Sequence, residues 1–106
     1  MIREEVNLPL VVAGSCFYCL SLFNDCIHFN MPVELQDGIM NCNSMFANCT
    51  EFNQPIKIPD SVRYCSYMFY RCKSFTQHVD IPESVKYRRY MFIGRERCVS
   101  TNHFVD

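Results

Sequence analysis

The chain has 106 residues and a formal net charge of −1, enough for one compact domain and no signature of a generic polyanion or polycation binder. No apolar run approaches the roughly 18 residues that a membrane span needs. The short stretch Leu8 to Ala13 contains Pro9 and follows acidic Glu4 and Glu5, whereas a secretory signal has a basic start and a longer apolar core.

No targeting segment is read, and a cytoplasmic location is expected. The charge is unevenly spread. Residues 1–53 carry a balance of −5 and residues 54–106 a balance of +4. Such a dipole can orient a partner or bring molecules together head to tail.

Met45-Phe46, Met68-Phe69 and Met91-Phe92 recur every 23 residues, and Leu22-Phe23 holds the same register. A period of this length predicts a coil of stacked turns, here 6–28, 29–51, 52–74 and 75–97, with 98–106 as a tail. Each copy opens on Val6-Asn7, Phe29-Asn30, Phe52-Asn53 or Phe75-Thr76. Pro9, Pro32, Pro55 and His78 come next.

An apolar, variable, apolar triplet follows at 10–12, 33–35, 56–58 and 79–81, the period of a strand with one buried face. Pro59 and Pro82 close the strand, and Asp60-Ser61 and Glu83-Ser84 supply turn chemistry. Further inward columns are Cys16, Ile39, Val62, Val85 and then Cys19, Cys42, Cys65, Arg88. The Met-Phe return ends each copy. The expectation is a short right-handed parallel solenoid with little helix, in which Phe23, Phe46, Phe69 and Phe92 form one interior ladder.

Ile58-Pro59-Asp60-Ser61-Val62 and Ile81-Pro82-Glu83-Ser84-Val85 resemble the strand-and-turn signature of the BspA-type leucine-rich repeats. Met68-Phe69-Tyr70-Arg71-Cys72-Lys73-Ser74-Phe75 resembles the aromatic and Cys return of a related bacterial lipoprotein repeat family. The resemblance covers residues 6–97, with one residue added between Phe52 and Ile56 and one missing between Val62 and Phe69. It implies an α/β repeat fold, a leucine-rich-repeat solenoid of about four coils with a parallel β-sheet, as a single domain over 1–106.

Eight Cys in a short chain raise disulfide and zinc readings, and Cys16-Phe17-Tyr18-Cys19 has metal-ligand spacing. All eight nevertheless fall in inward columns, where free Cys packs as a small hydrophobe. Reduced, metal-free core thiols are expected, and no cofactor. His28, His78 and His103 share no column with one another or with a Cys, so no nucleophile, base and orienter can be named and no enzyme is expected. The three Gly, at 14, 38 and 94, build no phosphate loop.

The outward strand residues Glu34, Lys57 and Asp80 alternate in sign, as cross-strand pairs favour. Lys86, Arg88, Arg89, Arg95 and Arg97, interleaved with Tyr87, Tyr90 and Phe92, form a basic aromatic end. It reads either as a polar cap on the last coil or as a contact site, since Arg and Tyr anchor interfaces. The expected function is protein binding by a small intracellular inhibitor that blocks an acidic partner through Lys86, Tyr87, Arg88, Arg89, Tyr90, Arg95 and Arg97. Phage proteins that disable host defence enzymes, CRISPR effectors included, offer an analogy of size. Nucleic-acid or anion binding through the same end and a fragment of a bacterial surface adhesin are the alternatives.

Overall fold

The computed structural model describes residues 8–16 and 18–94. Strands β1 (Leu10–Val12) and β2 (Val33–Leu35) pair in parallel with Leu10 opposite Val33, Val11 opposite Glu34 and Val12 opposite Leu35. Each partner lies 23 residues on, one repeat along. A second strip of parallel pairing passes through single residues of all four copies: Tyr18, Asn41, Tyr64 and Tyr87.

Backbone bookkeeping explains why the Met-Phe return is so regular. Cys42, Ser44, Phe46 and Asn48 donate their N–H groups to the next copy, at the carbonyls of Tyr64, Ser66, Met68 and Tyr70, over 2.8 to 2.9 Å. The residues between them bond locally. Met45, Ala47 and Cys49 donate three residues back, to Cys42, Ser44 and Phe46, and Asn43 donates to the Asn41 side chain. Every N–H from 42 to 49 is therefore used, which is what a buried backbone requires. The same pattern links Cys65, Tyr67, Phe69 and Arg71 to the carbonyls of Tyr87, Arg89, Met91 and Ile93.

This weave needs a left-handed residue at two places per copy. Ser21, Ser44, Tyr67 and Tyr90 form one such column, with φ between 57° and 61°. Asp25, Asn48, Arg71 and Gly94 form the other. Positive φ at the third residue of a type II turn suits Gly or Asn and costs an ordinary L-residue about 1–2 kcal/mol. Ser44 makes no side-chain bond of its own among the hydrogen bonds described, so Ser44→Gly should stabilise the fold by about 0.5 kcal/mol after its unfolded-state entropy cost. Ser44→Val should destabilise it by more than about 1 kcal/mol. Urea denaturation of the two variants checks this, and the same sign for both would remove the strain.

Side chains add further rungs between copies. Asn30 Oδ1 accepts from the Asn53 N–H at 2.8 Å, and Asn53 Oδ1 from the Thr76 N–H at 2.9 Å. Gln54 and Gln77 reach back to the carbonyls of Asn30 and Asn53. Gly38 has φ +112°, and a Cβ there would stand 2.6 Å from the Gly14 carbonyl oxygen, so only glycine fits that approach of two turns.

The core is a double ladder of phenylalanines. Phe23, Phe46, Phe69 and Phe92 stack at centroid spacings of 5.4, 5.6 and 5.7 Å. Phe29, Phe52 and Phe75 stack beside them at 5.6 and 5.8 Å, and the two columns meet at 4.4 Å where each copy passes into the next. Met45, Met68 and Met91 are buried alongside, with Ile39, Val62 and Val85 in a further column.

Two expectations are corrected. Residues 56–58 and 79–81 form no strand; among the described residues the sheet has β1 and β2 alone. The Gln36 N–H that closes the β1–β2 ladder donates to Val12 at 3.0 Å. One and two repeats later that position is Pro59 and Pro82, which have no N–H to give.

The cysteines are not all inward. Cys19, Cys42, Cys49, Cys65 and Cys72 are buried, but Cys16 and Cys26 are exposed, and Cys98 lies outside the described residues. The first copy ends the described stack, so positions covered by Ile39 or Cys49 in the second copy are uncovered there. Phe23 and Phe29 are likewise only partly buried.

Candidate functional site

Along the strip of parallel pairing, Cys19, Cys42 and Cys65 point into the core. Successive side chains on an extended segment alternate faces, so Tyr18, Asn41, Tyr64 and Tyr87 face outward. Tyr64 and Tyr87 stack at 5.0 Å with 5° between their planes. Tyr67 and Tyr90, in the left-handed column, are exposed as well, and their rings lie 5.2 Å apart. Tyr70 meets Tyr67 edge-on at 5.1 Å.

Cations lie over these rings. The Arg71 guanidinium sits 5.4 Å from the Tyr70 centroid, and that of Arg89 sits 5.7 Å from Tyr90, within cation–π range. Arg63 is tied down differently, donating to the carbonyls of Asp60 and Ser61 at 3.2 and 3.1 Å. The third and fourth copies thus present two stacked tyrosine pairs, with Arg71 over Tyr70 and Arg89 over Tyr90.

Of the residues expected at the basic end, Lys86, Tyr87, Arg89 and Tyr90 are exposed, with Tyr87 at 54%. Arg88 differs. It is half-buried, and its charge opposes the upward shift that burial, and then neighbouring Cys42, impose on the Cys65 thiol. Its column is the inward one, so it is poorly placed as a contact residue. Arg95 and Arg97 lie outside the described residues.

Sequence reasoning missed Arg63, Tyr64, Tyr67, Tyr70 and Arg71. The signal was available for three of them. Subtracting one period from Lys86, Tyr87 and Tyr90 gives Arg63, Tyr64 and Tyr67.

The strand face is less organised. Glu34, Lys57 and Asp80 are all exposed, but among the described residues no ion pair joins Lys57 to either carboxylate. Asp80 accepts instead from His78 of its own copy at 2.7 Å. This corrects the expected alternating ladder, which needs the close strand spacing that ends at Pro59. An open cleft of about 370 Å³, lined by Lys57, Asp60, His78 and Asp80 among others, lies where that pairing stops. A second cleft runs past Glu34 and Lys57.

His28 pairs with Glu51 at 2.9 Å, and His103 lies outside the described residues. Burial pushes the Cys42 thiol up to about 12 and the Cys49 thiol up to about 11, so both stay protonated at neutral pH. Among the described residues no three His, Cys, Asp or Glu side chains gather as a metal site, and no helix is long and apolar enough to cross a membrane.

No curated protein and no solved structure matches the chain. Residues 18–102 match the family model described as "Mycoplasma protein of unknown function, DUF285". That match spans the strip of parallel pairing, the phenylalanine ladders and the tyrosine face, and the chain belongs to this family of unknown function, DUF285.

Proposed function

We propose that the chain is a non-enzymatic, cytoplasmic protein-binding module that blocks an acidic partner through its tyrosine and arginine face. We propose also that its copies form one short right-handed leucine-rich-repeat solenoid of the BspA type, over 6–28, 29–51, 52–74 and 75–97. The 23-residue register of the strands, the isolated bridges and the ring stacks supports that fold class.

The observation that carries the binding role is the stack of Tyr64 on Tyr87 and Tyr67 on Tyr90 with Arg89 laid over Tyr90. Tyr and Arg dominate binding hot spots. Rings already held by neighbours lose little freedom when a partner covers them. Interleaved cations favour an acidic surface and speed its approach.

Single-stranded nucleic acid is the second reading, because the face is basic and aromatic. The rings here are stacked on one another at 5.0 and 5.2 Å rather than splayed to receive bases, which favours protein.

Reversing charge with Lys86→Glu and Arg89→Glu should weaken capture of the partner at least tenfold, about 1.4 kcal/mol, with the circular dichroism spectrum unchanged. A folded double variant that binds as well as the parent would sink this face as the contact. A steep decline of binding with salt, on the scale of several released counterions, would move the assignment to nucleic acid.

A further inference from the structure

The first copy carries a pair of thiols that packing does not explain. In the other copies the position of Cys16 is held by Ile39, Val62 and Val85, all buried. Cys16 alone faces solvent, where an apolar residue would gain little and a thiol is chemically available. Three residues on, Cys19 is 2% exposed, and its N–H is pinned to the Asn41 carbonyl of the next copy at 2.9 Å. Cys16 is held from the other side, its N–H on the Ala13 carbonyl at 3.0 Å.

Between these anchors the two sulfurs stand 2.9 Å apart, with the Cys19 Sγ donating to the Cys16 Sγ and lying 3.1 Å from the Cys16 carbonyl. No second copy repeats this: the partners of Cys42 and Cys65 at the same spacing are Ile39 and Val62.

We propose that Cys16 and Cys19 form a thiol–disulfide exchange site whose oxidant is a low-molecular-weight disulfide, with Cys16 as the entry thiol and Cys19 as the resolving thiol. Entry at Cys16 follows from access, because Cys19 is covered.

The chemistry proceeds in two displacements. The Cys16 thiol gives its proton to solvent, and the thiolate attacks one sulfur of R–S–S–R. A Cys16–S–S–R bond forms and RS⁻ leaves, taking a proton from water. Cys19 then loses its proton to solvent and attacks the Cys16 sulfur. The Cys16–Cys19 bond forms, and the second RS⁻ leaves and is protonated. Two protein thiols are oxidised to one disulfide, and one R–S–S–R is reduced to two R–SH.

The second displacement is the slow one. In the dithiol, burial, then the hydrogen bond to Cys16, push the Cys19 thiol up to about 12; burial, the larger cause, persists once Cys16 carries the adduct, so the Cys19 thiolate is scarce at neutral pH. The mixed disulfide on Cys16 should therefore accumulate before it resolves, and resolve faster as pH rises.

The reduced full chain is incubated with glutathione disulfide at about pH 8, quenched with acid, alkylated and mapped by peptide mass spectrometry. Expected is one glutathione on Cys16, giving way to a peptide two hydrogens lighter in which Cys16 and Cys19 are joined. Cys42, Cys49, Cys65 and Cys72 should remain alkylatable after unfolding. Cys19→Ser should trap the adduct on Cys16, and Cys16→Ser should leave Cys19 unmodified.

Exposed Cys26 serves as the reference for access alone. If Cys26 takes glutathione while Cys16 and Cys19 both stay free thiols, the site is removed. An adduct on Cys16 that never resolves in the parent chain likewise overturns the pair. Should Cys19→Ser fail to fold, the parent map and Cys16→Ser still decide.

Discussion

Phe46→Ala should cost about 3–5 kcal/mol, the range for deleting a fully buried aromatic ring, and leave a domain of ordinary stability close to unfolding. Phe46 is the hub of the core. Its ring touches Phe23 and Phe69 in its own column at 5.4 and 5.6 Å, and Phe52 at 4.4 Å in the next. It also comes within 6.4 Å of Phe29. The rings above and below are fixed by backbone bonds on both sides of the return, so they cannot close over the gap. A cavity term therefore adds to the lost transfer energy.

Phe23→Ala should cost distinctly less, because Phe23 is only partly buried at the end of the described stack. Urea denaturation compares the two directly. Equal losses would mean that the first copy is as well covered as the second, and a loss below about 1 kcal/mol at Phe46 would contradict a closely packed ladder.

A second large effect should appear in alkali. Cys42 and Cys49 are both fully buried, and their thiols are raised to about 12 and about 11, in each case chiefly by loss of hydration. The ordinary thiol value from which both are raised is 9.0. Above that pH the unfolded state sheds protons that the folded state keeps, so stability is full below about pH 9 and is lost as pH rises towards the folded values. Each such thiol withdraws about 1.4 kcal/mol per pH unit across that window. By about pH 11 the two together would withdraw roughly 5 kcal/mol, a large share of the whole stability of a small domain.

Tyr and Lys titrate nearby, so the informative comparison is with Cys42→Ala/Cys49→Ala. That double variant should start lower at neutral pH and decline less steeply between about pH 9 and 11. Parallel declines in parent and variant would show that the buried thiols are not the cause.

Much of the core was legible in the sequence. A 23-residue period says which residues are neighbours, and that alone predicts Phe23, Phe46, Phe69 and Phe92 in one ladder and Leu10–Val12 beside Val33–Leu35. It says nothing direct about backbone sign. Ser44, Tyr67 and Arg71 adopt left-handed φ because the weave of bonds between copies demands it, against the local preference of those residue types. The end of the sheet was visible in principle, since Pro59 and Pro82 lack the N–H that Gln36 donates. Reading those prolines as strand closers, rather than as missing rungs, hid it.

Exposure was decided by tertiary structure alone. Cys16 and Ile39 occupy the same column, yet one is exposed and the other wholly buried, because burial in a stack depends on what lies on both sides of a copy and not on the column. Arg88 and Arg89 differ for a related reason: adjacent residues on an extended strip face opposite ways, so a basic run in the sequence divides into one side chain against Cys65 and one over Tyr90. Periodicity determined who stacks on whom. Which faces are open, and so which tyrosines and thiols can meet another molecule, followed only from the packed chain.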